Sequence, residues 1–383
     1  MPHSLTSELA IFAGMRNRIK NILALSLLLQ WVLVRWAASS PQWVEKWYSR
    51  GLYPYLSGFF RRIYGWIPFS VGDLVYLGLL AFLLWWLFRK LKTVRRRIPG
   101  FLRDLLAGFA ILHGTFYLLW GLNYFREPLG AALGMSEEYS REELLQTAEW
   151  LAARSNALQE TLAGDTLTPV RLPYSQGEIR EMTVAAYQNI SGDFPEFTYR
   201  HPSLKNSLIS TALTYMGYGG YLNPFTGEAQ VNGRLPLFRY PVVCGHEVGH
   251  QLGYSAENET NFIGYLVTQK NPDPYFQYAA SAYGLGYCLA EINRVDSLER
   301  KRITRGLHPG VRSNYAEMQE FWGAYENPLE PVFKAVFSKY LEANRQADGI
   351  ASYNRVVSLL VAYHRRELEV LPGPPPSAPA PED

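Results

Sequence analysis

Cysteine is nearly absent: Cys244 and Cys288 are the only two in 383 residues. Two thiols cannot build a disulfide framework, and neither has the spacing of a thiolate zinc site. Both lie in apolar, helix-like surroundings, so two buried free thiols are expected. Charge of one sign is also scarce. The net charge is +3 with 19% charged residues, which gives no footing for a nucleic-acid partner. No internal repeat is present. Wholesale disorder is excluded, because the chain is 48% hydrophobic and 14% aromatic. The length suits one domain of ordinary size plus a membrane anchor.

What the chain does have is long apolar runs. Ile19 to about Ala38 is one, interrupted by Gln30 and Arg35; Leu74–Phe88 and Leu105–Leu122 carry no charge. A membrane span takes about 20 apolar residues, fewer when flanking side chains snorkel. The second and third runs therefore read as spans, and the first as a span or an uncleaved signal-anchor. Between the last two lies a basic cluster of Arg89, Lys90, Lys92, Arg95, Arg96, Arg97 and Arg103, and Arg16, Arg18 and Lys20 precede the first. The positive-inside rule then puts the N-terminus and the cluster inside and everything after Asn123 outside a bacterial cytoplasmic membrane. Ser39–Ser70 becomes an outer loop, rich in Trp, Tyr and Phe, expected to lie on the bilayer as short amphipathic helices.

From Ser136 the pattern turns charged and amphipathic. Ser140 and Glu143 form a capping-box pair, apolar residues recur at helical spacing through Leu158, and Gly164 ends the helix. Further helices are expected over Glu178–Ile190, Leu204–Tyr215, Glu257–Gln269, Pro274–Arg294, Gly310–Asn344 and Ser352–Leu368. Gly217–Asn232 is glycine-rich, with a strand expected over Glu228, Ala229, Gln230, Val231 and Asn232. Such a strand is either an edge that pairs with an extended peptide or part of an ordinary surface hairpin. Residues 371–383 read as a flexible Pro-rich tail.

The most informative stretch is His246-Glu247-Val248-Gly249-His250. Residues four apart on a helix share a face, so two imidazoles can grip one metal ion. Glu247 projects from the same turn and can take a proton from a water on that metal. Val242, Val243 and Cys244 give the helix an apolar first turn, and Gly253 is a suitable stop. Tetrahedral catalytic zinc uses three protein ligands and one open position. Glu257 and Glu259 are the candidates for the third; Glu257, at the start of the next helix, is favoured. Asn261 stands one turn on and can orient a ligand histidine by hydrogen bond.

These residues carry a family resemblance. His246–Gly253 followed by Glu257–Phe262 resembles the gluzincin pattern of HExxH plus Glu. It is most similar to a bacterial membrane family filed as domain of unknown function 3810. Trp120–Tyr124, Asn223–Ala229 and Ser352–Val357 resemble the same family, so the likeness spans most of the chain. Glu259-Thr260-Asn261 stands where the family usually has Glu-Ala-Asn, which keeps the carboxylate and the amide. The resemblance implies Glu257 as third ligand and Glu247 as general base. Tyr353, His364 and Tyr221 are candidates only for steadying an oxyanion, each better explained as a packed aromatic or surface residue.

The expected fold class is mainly α. A three-helix membrane anchor (19–122, after a cytoplasmic 1–18) precedes a zincin-like, mostly helical α+β metallopeptidase domain (123–370) with a small edge-strand region. The expected function is a membrane-anchored, Zn2+-dependent peptidase acting on a peptide or protein substrate beside the lipid bilayer. Two alternatives stand beside it: a non-catalytic membrane protein with a zincin-like site, and a zinc amidase acting on cell-envelope material.

Overall fold

The computed structural model describes residues 3–94, 98–136, 138–344 and 355–370. It is mainly helical. Three helices are long and apolar enough to cross a membrane: Gly14–Ala38, Val71–Lys90 and Ile98–Leu119. The first belongs to a longer helix, His3–Ala38. The third begins seven residues before the expected Leu105 and stops at Leu119, where Gly121–Phe125 tightens into a 3-10 turn. The polar interruption in the first run has a structural reason. Gln30 donates from Nε2 to the Ala110 carbonyl at 3.1 Å, and its Oε1 meets His113 Nδ1 at 2.7 Å. It joins the first and third spans where lipid could not satisfy an amide. The basic ends of all three spans converge on one carboxylate: Lys20 lies 2.8 Å and Lys90 3.5 Å from Asp104, whose neighbour Arg103 is 2.8 Å away. Arg95–Arg97 lie outside the described residues.

At the opposite end the spans run into the folded domain without a linker. Ser39–Ser70 carries a π-helical segment, Val44–Leu52, and a helix, Tyr53–Tyr64. Their inner faces pack on the domain, and Trp47, Tyr55, Phe59 and Trp66 point outward. The segment therefore belongs structurally with the domain as much as with the anchor. Arg126 bridges the two parts, donating to both Glu45 oxygens at 2.9 Å and to the Gly253 carbonyl at 3.0 Å.

Helix Arg141–Ala163 has the expected reciprocal cap between Ser140 and Glu143 and ends at Gly164, whose φ of 79° suits glycine. Helix Gln176–Ile190 starts slightly earlier than expected because Ser175 and Glu178 make a second capping box. Glu257–Gln269 falls as expected, Pro274–Val295 extends one residue further, and the expected Gly310–Asn344 divides into Pro309–Gly323 and Glu330–Ala343. The last described helix is Val356–Val370. Cys244 and Cys288 are free and buried, as expected.

The expected helix Leu204–Tyr215 is not one helix. Its start is strand β1, Leu204–Asn206, and only Ser210–Tyr215 is helical. β2, Gly220–Asn223, and β3, Glu228–Val231, complete a three-stranded sheet in the order β1-β3-β2. β1 runs parallel to β3 and β2 antiparallel to it, joined by a tight turn at Gly227 with φ 65°. Asn223 Oδ1 accepts from the amides of Phe225 and Thr226 and shapes that turn. The β1 correction is long-range in origin. Lys205 alternates inward to meet the buried carboxylate of Glu228, a pairing that local propensity does not reveal.

Candidate metal centre

Two helices build the centre. Helix Tyr240–Gln251 carries His246, Glu247 and His250; helix Glu257–Gln269 starts at Glu257. They touch backbone to backbone. A Cβ added at Gly264 would come within 2.6 Å of the Val242 carbonyl oxygen, and one at Gly245 within 3.0 Å of the Gly264 Cα. Only glycine permits that approach. It sets the first half of the histidine helix beside the middle of the other.

The turn between them is equally determined. Gly253 (φ 89°) ends the first helix; its amide donates to the His250 carbonyl at 3.0 Å, and that of Tyr254 to Gly249 at 3.2 Å. This is a Schellman closure, the expected result of glycine just past a helix end. It returns the chain so that the Tyr254 carbonyl accepts from His250 Nδ1 at 2.8 Å.

The three expected ligands come together. His246 Nε2 lies 3.3 Å from Glu257 Oε2, and His250 Nε2 lies 3.8 Å from Glu257 Oε1. Ligand atoms of His246, His250 and Glu257 all fall within 4.8 Å of one another, so the cluster can hold a metal ion. His246 Nδ1 is 2.9 Å from Asn261 Oδ1. Carbonyl oxygens only accept, so both Nδ1 atoms carry hydrogen. When neutral, each ring then offers its Nε2 lone pair to the common centre. Asn261 Oδ1 also accepts from the Tyr283 hydroxyl at 2.6 Å, which fixes the amide.

Glu259 is elsewhere. Two residues on from Glu257, it faces another side of the helix and accepts from the Leu129 amide at 2.7 Å. The structure thus separates the two candidates that the sequence left open.

Glu247 is buried against Gly220. A Cβ at Gly220 would reach within 2.5 Å of Glu247 Oε1, so β2 brings bare backbone up to this carboxylate. Its Oε2 is buried with no hydrogen-bond partner among the described residues. Burial, helped by Glu257 and opposed by His246, pushes the Glu247 carboxyl up to about 8. Burial, with His246 adding, pushes His250 down to about 4 against the pull of Glu257 and the Tyr254 carbonyl. For His246, burial works downward, but Glu257 and Glu247 outweigh it and the net shift is upward. An imidazole kept neutral, a carboxylate between two imidazoles and an unsatisfied carboxyl oxygen beside them suit a divalent cation of borderline softness.

The remaining expected residues fall outside this cluster. Glu228–Val231 is a strand, but it is the middle one, paired on both sides and wholly buried. With Asn232 just after it, it has no free edge to offer a peptide. The outer strands are β1 and β2, and β2 is the one beside Glu247. Tyr221 gives its hydroxyl to Asp73 and stacks on Tyr76 at 5.9 Å between centroids. His364 is fully buried, 2.6 Å from the Tyr265 hydroxyl and beside Trp150, in the core. Tyr353 lies outside the described residues.

Several supports were not foreseen. Trp120 Nε1 donates to the His250 carbonyl at 3.1 Å, and Tyr53 and Ser57 hydroxyls donate to the Gln251 carbonyl at 2.9 and 3.1 Å. The Gln251 side chain donates to Ser203 and Gly227 carbonyls at 2.8 and 2.6 Å and accepts from Tyr199. The end of the histidine helix is thereby bound to the third span, the first loop and the sheet. The only sequence signal was Trp120, within a motif that carried the family resemblance.

Fold and centre together define a membrane-associated, mainly helical protein with a three-residue cluster able to hold a metal ion. The family described as "Protein of unknown function (DUF3810)" matches residues 48–361, and the chain belongs to that family. No curated protein and no solved structure matches it.

Proposed function

We propose that this protein is a zinc-dependent peptidase whose folded domain stands on the outer face of a bacterial cytoplasmic membrane. The observation that carries the reading is Glu247: a buried carboxylate with an unpartnered oxygen, one residue from a ligand histidine. A purely structural site has no use for such a group. Among the described residues the cluster has three ligand side chains, which leaves a fourth position for solvent.

Zinc bound by His246, His250 and Glu257 would supply Lewis acidity and bring a water's pKa toward neutrality. Glu247 takes the proton from the attacking water and returns it to the leaving nitrogen. Asn261 and the Tyr254 carbonyl hold the two imidazoles in the tautomer that leaves Nε2 free. Register supports a peptide along β2. The Asn232 amide donates to the Gly219 carbonyl at 2.8 Å, which marks that pair as bonded. By antiparallel alternation, the N–H and C=O groups of Gly220 and Leu222 face the side of β2 away from β3, next to Glu247.

Orientation rests on charge. The basic ends of the three spans meet at Asp104, at the end away from the metal cluster, and the positive-inside rule assigns that end to the cytoplasm. Outward-pointing Trp47, Tyr55, Phe59 and Trp66 suit the bilayer interface at the other end.

The test is metal analysis and proteolysis of purified full-length protein. Glu247→Gln is expected to keep a full complement of zinc and lose about 10²–10⁴-fold in hydrolysis rate. His246→Ala/His250→Ala is expected to lose the metal. Full activity in the first variant, or retained zinc in the second, rejects the assignment. Hydrolysis of envelope amides but of no peptide would point to the amidase alternative.

A further inference from the structure

Beyond the metal cluster, an open cleft of about 470 Å³ lies between helices Pro274–Val295 and Pro309–Gly323, above the start of the histidine helix. Its volume is in the range of roughly 300–1,000 Å³ typical of small-molecule sites. Its walls include Phe238, Ala282, Tyr283, Met318 and Trp322, a mostly apolar and aromatic surface that Gln319 and Glu326 also line. Its one cation is Arg239, whose guanidinium lies 3.7 Å from the Tyr283 ring centroid. Arg239 makes no ion pair with any described carboxylate. Tyr283 joins the cleft to the metal cluster. Its ring lines the cleft, and its hydroxyl is 2.6 Å from Asn261 Oδ1, itself 2.9 Å from His246 Nδ1. Whatever fills the cleft therefore sits one side chain away from the residue that orients a ligand.

We infer that this cleft is the side-chain subsite beside the reacting bond, taking an aromatic or long aliphatic residue of a peptide. Arg239 donates to a backbone oxygen of the same peptide. The inference rests on the peptidase reading for its place in a reaction, and on the cleft alone for its ligand. Tyr, Trp and Phe surfaces with a flexible methionine favour a flat apolar group over a charged one. Arg239 meets the Tyr287 hydroxyl but has no carboxylate partner among the described residues, so the rest of its donors are available to a carbonyl or a terminal carboxylate.

The experiment uses the full-length protein in detergent with N-acetyl-p-benzoyl-L-phenylalanine amide, irradiated and mapped by mass spectrometry. The expected label falls on the cleft face of Pro309–Gly323, at Met318 or Trp322. It is competed by N-acetyl-phenylalanine amide and not by N-acetyl-alanine amide. Met318→Trp, which fills the cleft from a half-buried position, is expected to cut labelling at least tenfold. Gln319→Trp, from the exposed rim, does the same if Met318→Trp fails to fold. In parallel, a peptide library is expected to show at least about a tenfold preference for Phe, Tyr or Leu over Ala next to the cleaved bond. Both filling variants should abolish that preference while peptides with small residues there are still cut. Label elsewhere, or labelling indifferent to the filling variants, overturns the subsite. So does cleavage without preference. Label in the cleft with no peptide cut by the zinc-loaded protein instead overturns the peptidase reading and leaves an aromatic-binding site.

Discussion

Two glutamates are buried near the sheet, and they differ in everything except burial. Glu228 on β3 is fully enclosed and fully used. Lys205 pairs with it, the Val71 and Gly72 amides donate to it, and the Thr226 hydroxyl lies 2.8 Å away. It sits at the N-terminus of the second span, where the helix dipole also favours an anion. Glu247 is 3% exposed, yet one oxygen has no hydrogen-bond partner among the described residues and its carboxyl is raised to about 8. Burial alone does not mark a reactive carboxylate. Under the proposed function, what singles out Glu247 is unused hydrogen-bonding capacity beside a set of candidate ligands.

The largest expected difference lies in stability. Glu228→Ala strands the Lys205 ammonium in the interior, which costs about 3–5 kcal/mol. It should lower the denaturation midpoint in detergent sharply, whereas Glu247→Gln should leave it unchanged or raise it. Equal losses would break the contrast. Next in size, Asn261→Leu removes the acceptor that orients His246 and is expected to weaken metal affinity by about 10–100-fold in chelator competition. Glu259→Gln, whose carboxylate serves Leu129, should leave that affinity untouched; a large loss there would reopen the choice of third ligand. The smallest effect is on pH dependence and is read in metal-free protein. Glu247 has a folded-state pKa of about 8 against an ordinary 4.5, so its stabilising proton is fully present below 4.5 and lost as pH rises to 8. His250, near 4 against 6.5, contributes above 6.5 and loses that contribution as pH falls toward 4. Between pH 6.5 and 8 His250 no longer changes, while Glu247 and His246, whose pKa is also raised, both lose their contributions; comparison with Glu247→Gln singles out the part due to Glu247. There the wild type should lose at most about 1.4 kcal/mol per pH unit relative to Glu247→Gln. Parallel curves in that window would remove the buried proton.

The features written locally were legible. The pair of histidines on one helical face, the Gly253 stop, the Ser140 cap and the apolar runs each depend on residues within one or two turns, and each has its structural counterpart. What was not legible depends on distant partners. Leu204–Asn206 becomes a strand because β3 and Glu228 wait for it, and β3 lies in the middle of the sheet because β1 arrives from earlier in the chain. Glu257 and Glu259 could be told apart only when Leu129 claimed the second. Tyr254 contributes a backbone carbonyl, which no side-chain pattern can announce. The loop after the first span carried an amphipathic signal, but its docking on Gln251 needed the tertiary fold.

The hydrogen bond from Trp120 to the His250 carbonyl has a mechanical meaning. Trp120 is the residue that follows the third span, so with that span in a bilayer no slack chain separates the hydrocarbon boundary from the His246, His250 and Glu257 cluster. Like a blade fixed flush with the sole of a carpenter's plane, the centre cannot be raised to meet a distant target. On the proposed peptidase reading, polypeptides would have to be brought down to it, and reach would be set by how close a strand can lie to the lipid headgroups.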